Sequence, residues 1–319
     1  MKLKKLYESA VANGIEADPR GKKKVLKTLE KKKKAYKAMK KDEKEFFDKE
    51  RLTNPYADTR ILHGTGDEEI KTILIGVDME ATEILLADRL TEKGQKIDLV
   101  IAHHPEGKAY ANFYEVMDMQ ADIHNKFGVP INIAESLIEG RMKEVGRRLM
   151  PVNHTRASDT ASLLDMPFMC IHTPADNMVV NYLQNLLDKK SPDTLGEIID
   201  ILLDIPEYRE AAKNNAGPNI LIGSKERSAG KIFVDMTGGT EGAKDIFESL
   251  ANAGVGTIIC MHLSDEHMKK AEKYHINAII AGHISSDNVG INLLLDKIQK
   301  NGKLKIIPCS GFRRFERKK

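Results

Sequence analysis

Short, unbroken apolar runs constrain this chain more than any other feature. Thr72–Asp78, Leu99–Ala102, Val129–Ile133, Phe168–Ile171, Lys231–Asp235, Thr257–Met261, Ala278–Ala281 and Leu304–Pro308 each place several apolar residues side by side. They lack the alternation of a strand with one wet face, so they read as strands buried on both sides. Between them lie stretches with helical spacing: Ala81–Lys93, Tyr114–Phe127, Ser136–Leu149, Glu241–Ala253, Ser264–Tyr274 and Asn288–Lys300. Residues 178–215 read as helices broken by Ser191-Pro192 and Pro206. Strands of this kind need helices on both faces, which predicts an α/β fold with parallel or mixed sheets. No apolar run approaches the roughly 18 residues of a membrane span. The start, MKLKKLYESAVANG, has no secretory apolar core. Cys170, Cys260 and Cys309 form neither a disulfide framework nor a Cys-only zinc site. A soluble, cytoplasmic protein is expected.

A short internal match joins Phe168–Asp176 (FMCIHTPAD) to Ile258–Glu266 (IICMHLSDE). It predicts two similar α/β lobes, residues 70–177 and 217–319, with a helical insert at 178–216. Residues 1–69 read as a basic helical extension ending in the turn-rich stretch Thr53–Gly66. The charge supports that division: residues 1–51 carry 18 Lys+Arg against 9 Asp+Glu, a net of +9, and the rest carries −6. Val25, Leu26, Leu29, Tyr36, Met39, Phe46 and Phe47 form a broken apolar stripe. A solvated or docking helix is favoured over a nucleic-acid-binding one, since no aromatic-rich nucleic-acid motif accompanies the lysines. The segment holds no candidate ligand and is expected to be dispensable for the site below.

Of ten histidines, five fall at one kind of position. His103 and His104 follow Leu99–Ala102, His172 follows Phe168–Ile171, His262 follows Thr257–Met261, and His283 follows Ala278–Gly282. In α/β sheets that carboxyl edge carries the functional loops. With Asp176 and Asp287 close by in sequence, the set points to a metal site; scattered, hydrogen-bonded structural histidines are the alternative. Adjacent His103 and His104 diverge if the backbone is extended, so the pair can serve two metals or one metal and a supporting contact. Imidazole with carboxylate suits zinc, iron, manganese or nickel. Two divalent ions sharing a carboxylate or water would be a hydrolytic arrangement. His63, His124, His154 and His275 look like turn or surface residues. Cys170 and Cys260 read as buried thiols, and Asp78 reads as a helix cap or as a support for the metal site.

IAHHP (Ile101–Pro105), HTPAD (His172–Asp176) and AGHISSD (Ala281–Asp287) together resemble the Nif-three-like family, also described as GTP cyclohydrolase I type 2 homologues. The resemblance spans roughly residues 70–310, in order. It implies two pseudo-symmetric α/β halves, a dinuclear metal centre in the cleft between them, and toroidal homo-oligomers, commonly hexamers. Residue by residue, His103, His104, Asp176, His283 and Asp287 match the family's metal ligands, and His172 stands beside them. Two positions depart from the family pattern. Asp287 replaces the usual Glu, and His262 stands where an acid is expected.

The expected function is that of a dinuclear metal-dependent hydrolase acting on a small, anionic or nucleotide-like substrate. A GTP-cyclohydrolase-like reaction is what the resemblance implies. His172 or His262 would move protons. Lys108 or the turn Gly238–Gly242 would hold the anionic group, although that turn reads equally as a simple tight turn. The alternative is a non-enzymatic metal-binding or regulatory protein that presents its basic helices to a partner.

Overall fold

The structure is a computed structural model and describes residues 1–317. Among the described residues the strands are β1 (Arg60–His63), β2 (Thr72–Gly76), β3 (Leu99–Ala102), β4 (Phe168–Cys170), β5 (Asn219–Ile222), β6 (Lys231–Asp235), β7 (Val255–Cys260), β8 (Asn277–Ile280) and β9 (Lys305–Pro308). They form a five-stranded sheet in the order β1-β4-β3-β2-β9 and a four-stranded sheet in the order β5-β8-β7-β6. In each sheet the central strands run parallel, and β1 and β5 lie antiparallel on one edge. The two α/β lobes therefore share a topology of an antiparallel edge strand followed by three parallel strands, to which the first sheet adds β9 as a fourth. Among the described residues no helix is long and apolar enough to cross a membrane.

Two helices stand between the sheets. Thr173–Lys190 follows β4 and His283–Ile298 follows β8. Ala175, Met178, Ile291 and Leu294 pack toward the first sheet; Val179, Leu183 and Val289 pack toward the second. His283–Ile298 is buried almost all round, and so is Thr173–Lys190 up to Val180; beyond that point Thr173–Lys190 buries only Leu183 and Leu187 and shows a polar face at Asn181, Asn185 and Asp188. The two helices approach so closely that a Cβ on Gly290 would lie 2.8 Å from the backbone carbon of Ala175. Further helices cover the outer sheet faces: Ala81–Glu92 and Arg156–Leu163 on the first, Asp118–Lys126, Ile131–Leu149, Ile246–Asn252 and Asp265–Lys273 on the second.

Several boundaries differ from the sequence expectation. The break at residue 69 is absent, because β1 pairs with β4 and the helix Leu3–Ala17 buries Leu3, Leu6 and Ala10 in the core. The helix Leu3–Ala17 is thus packed into the first lobe rather than standing apart as an extension. The lysine-rich helix Lys22–Ala38 docks through Val25 and Leu29 only; Leu26 is 43% exposed, and Phe46, beyond the helix, is 87% exposed. The insert starts later than residue 178, since Thr173–Lys190 is a central helix. Only Leu195–Leu203 and Pro206–Lys213 are added over the second sheet. The last strand, β9, crosses back to pair with β2, so residues 217–319 do not form a self-contained lobe. Val129–Ile133 is no strand; Pro130 caps the helix Ile131–Leu149. A short apolar run cannot by itself separate a strand from a buried helix start.

The internal match was out of phase. Topologically β4 corresponds to β8 and β3 to β7. His262, two residues beyond the end of β7, therefore occupies the place that His104 holds beyond β3.

Candidate metal centre

β3 delivers His103 and His104 to the cleft between the lobes. The first turns of the two central helices deliver Asp176, His283 and Asp287. His103 Nε2 lies 3.4 Å from Asp176 Oδ1 and 3.4 Å from Asp287 Oδ1. On the other side, Asp287 Oδ2 is 3.7 Å from both His104 Nε2 and His283 Nε2, which are 3.4 Å from each other. The five predicted ligands thus converge as two groups that share Asp287. Donors held ~2.1 Å from a common tetrahedral centre are about 3.4 Å apart, so this spacing fits small cations. Among the described residues, His103 Nε2, Asp176 Oδ1 and both Asp287 oxygens are buried without a hydrogen-bond partner. Four such atoms in one cluster would be costly unless something bridges them. The residues therefore fit one or more metal ions.

The outward nitrogens of the imidazoles are held by the fold. His103 Nδ1 meets the Ile171 carbonyl oxygen at 3.0 Å. A carbonyl can only accept, so His103 carries a proton on Nδ1 and turns Nε2 toward the carboxylates, where it would ligate an ion and where, without one, the carboxylates favour a second proton. His104 Nδ1 donates to Asp78 Oδ1 at 2.6 Å in the same way. Asp78 thus supports His104 rather than capping a helix. His172 Nδ1 donates to Asp58 Oδ2 at 2.8 Å, and Thr173 Oγ1 donates to the same oxygen at 2.6 Å. Asp58 is fully buried. It was not legible in the sequence, because it lies in a turn more than a hundred residues before His172, with no motif around it.

The electrostatics follow from this packing. Burial alone would lower the pKa of His103, but Asp287 and Asp176 outweigh it and hold the imidazole well above its ordinary value. His172 is raised against burial by Asp176 and Asp58. His104 falls to about 4 through burial and the neighbouring His103 and His172. Burial also lowers His283, with Asp287 acting against it. Asp287 is lowered by His103 in spite of its burial.

His262 is not in either ligand group. It lies at the rim, its ring tilted against that of His283 with centroids 5.2 Å apart, and its Nδ1 is 3.4 Å from Glu241 Oε1. Glu241 raises the His262 pKa, and the Glu241 carboxyl is itself held at about 2 by His262 and Ser264 against its burial. The cleft lined by His104, His172, Asp176, His262 and His283 has a volume of about 460 Å³. Its walls carry Asp78, Glu80, Glu106, Asp235 and Glu241; their one arginine, Arg156, is bound to Glu80 at 2.8 Å. Lys108 does not hold an anion there. It points away to Glu50, at 3.0 Å. The Gly238–Gly242 turn lines the cleft, with left-handed φ at Gly238 and Gly239, and the Gln120 amide donates to the carbonyl oxygens of Gly238 and Thr240 from beneath. Cys170 and Cys260 are buried thiols, as expected. His124 is not a surface residue; it is 2% exposed.

No family model and no curated protein matches this chain. Solved structures do. Reduced HcgD from Methanocaldococcus jannaschii is 15% identical with a TM-score of 0.52, over 79% of this chain and 88% of that one, which is a likeness of fold. A NIF3 superfamily protein from Sphaerobacter thermophilus is 30% identical with a TM-score of 0.70. The match covers 80% of this chain and 91% of that chain. Shared topology and this level of identity over nearly the whole relative lead to one conclusion: the chain belongs to the NIF3 superfamily.

Proposed function

We propose that the protein is a dinuclear metal-dependent hydrolase acting on a small substrate. The observation that carries this reading is Asp287, whose two buried, partnerless oxygens each face a different histidine-containing group. His103 and Asp176 would complete one ion's protein ligands, and His104 and His283 the other's. A pair of divalent cations would supply Lewis acidity and a water of lowered pKa. Zinc, iron, manganese and nickel all suit the donor set.

The chain's own residues then have separable roles. Asp58 holds His172 through Nδ1, which leaves Nε2 to take or give a proton beside the ligands. At the rim, His262, backed by Glu241, would protonate a leaving group. The acidic walls would repel a free anion, so an acidic substrate group can settle only at the ions themselves. This accords with a nucleotide-like substrate, and a GTP-cyclohydrolase-like reaction is the form the family resemblance implies. We further propose a homo-oligomer, hexameric by the same resemblance.

Elemental analysis of purified protein reloaded with each metal tests the centre: two ions per chain are expected, and none in Asp287→Ala. A screen of phosphoesters and nucleotides on the loaded protein tests the chemistry. Two bound ions with no turnover across that screen would favour the second reading, a metal-binding regulatory protein that uses the exposed lysines of Lys22–Ala38 to meet a partner.

A further inference from the structure

The cleft does not end at the ligand groups. It continues past His262 and beneath the Gly238–Gly242 turn, where its lining becomes Ile246, Phe247, Leu250, Ile258 and Cys260. These side chains belong to the apolar cluster on the outer face of the second sheet. The cleft therefore opens into the core of the second lobe as an apolar chamber.

Two polar side chains sit in that wall, and the fold satisfies neither. His124, on the helix Asp118–Lys126, is almost fully buried, and its Nδ1 has no hydrogen-bond partner among the described residues. Asp235, at the end of β6, faces the cleft with Glu241 and His262 as its charged neighbours and no hydrogen bond to its carboxyl among the described residues. The contrast is His267 on the same wall. Its Nδ1 meets Ser264 Oγ at 2.7 Å and its Nε2 meets the Gly242 carbonyl oxygen at 3.0 Å, so it serves the turn alone. A buried polar atom left without a partner is destabilising unless something else bonds to it. Burial holds the His124 pKa down at about 4, so it offers a neutral hydrogen bond and no charge.

We propose that this chamber is a subsite for a planar heteroaromatic ring bearing an amino group. The ring's faces lie against Phe247, Ile246 and Leu250. Its N–H edge donates to Asp235, and His124 makes a second hydrogen bond. Flat apolar walls favour a ring over a flexible chain. A carboxylate pairs with amino and ring N–H donors and rejects an anionic edge. The inference rests on the proposed hydrolase only in assuming that the ring's substituent reaches the ligand groups.

Direct binding tests it without turnover. Full-length protein, with and without reloaded zinc, is titrated with 2-aminoquinoline, quinoline and 2-naphthoate by calorimetry and ligand-observed NMR. 2-Aminoquinoline is expected to bind at least about ten-fold tighter than quinoline, and 2-naphthoate not to bind at ~1 mM. Asp235→Asn is expected to remove that ten-fold advantage while leaving quinoline binding and metal content as in the parent. Ala243→Phe, which narrows the entrance, is expected to abolish both. Failure of both rings to bind the parent protein at ~1 mM would overturn the chamber. Equal binding of the two rings, or an Asp235→Asn protein unchanged toward 2-aminoquinoline, would overturn the recognition of the amino group. Ring binding by a protein that takes up no metal would leave this inference standing and remove the hydrolase instead.

Discussion

Gly290→Ala inverts the usual expectation for a helix. In an exposed helix interior, Gly to Ala is stabilising by about 1 kcal/mol, because glycine has more backbone freedom to lose. Gly290 lies midway along His283–Ile298, where that helix crosses Thr173–Lys190. The added Cβ would stand 2.8 Å from the backbone carbon of Ala175 and closer still to its oxygen. An ordinary carbon–carbon contact is about 3.5–4.0 Å. The two helices must therefore separate by roughly 0.7 Å or more, and no rotamer change can absorb it because both sides are backbone. Overpacking of this kind costs about 1–3 kcal/mol, with a backbone clash at the upper end. The gain in propensity offsets about 1, which leaves a net loss of about 2 kcal/mol. The same separation moves Asp176 away from Asp287, and metal sites tolerate only about 0.2 Å in ligand distance. Urea denaturation of metal-free protein would read the first effect and competitive metal titration the second, with an affinity loss of about ten-fold or more. Gly140→Ala is the control: it is exposed in a helix, nothing lies within 4 Å of the new Cβ, and it should stabilise. A Gly290→Ala protein as stable as the parent, with full metal affinity, would refute the reasoning.

Asp58→Asn should cost about 2 kcal/mol, since the donors of His172 and Thr173 lose a charged acceptor; a urea midpoint unchanged from the parent would rule this out. Deleting residues 1–17 should abolish cooperative folding, because it uncovers the core around Leu3, Leu6 and Ala10. A folded, metal-binding truncation, judged by near-ultraviolet circular dichroism, would contradict this. Asp235 has a folded pKa raised to about 6 by burial and Glu241. A carboxyl raised above its unfolded value is destabilising once ionised, so stability falls as pH climbs from about 4 through 6. Asp235→Asn should therefore stabilise metal-free protein at pH 7 by about 1–2 kcal/mol, allowing for partial solvent screening, and change little at pH 3.5. An effect of equal size at both pH values would exclude ionisation as its origin. Chelation should lower the unfolding temperature of the parent and leave that of Asp287→Ala unmoved, since a ligand stabilises only the fold that binds it.

The α/β class and the clustering of histidines at strand ends were legible in the sequence for a local reason. A doubly buried strand must be apolar along its length, and the residue that follows it falls on the sheet edge where clefts form. His103, His104, Asp176, His283 and Asp287 could be named from that rule and from the motifs around them. The tertiary structure decided what depends on partners far apart in the chain. That β9 returns to β2, that Leu3–Ala17 belongs to the core, and that β4 corresponds to β8 rather than β7 are matters of pairing, which no local pattern encodes. Asp58 and Asp78 became visible only when the fold brought them to His172 and His104. His124 reads as a turn or surface residue in the sequence; in the fold the second sheet covers it, and Phe233 packs against its ring. Sequence determines which residues can carry the chemistry, because side-chain type and strand position are local. Which of them meet, and which polar atoms are left without a partner, is set by packing between segments that the chain keeps far apart.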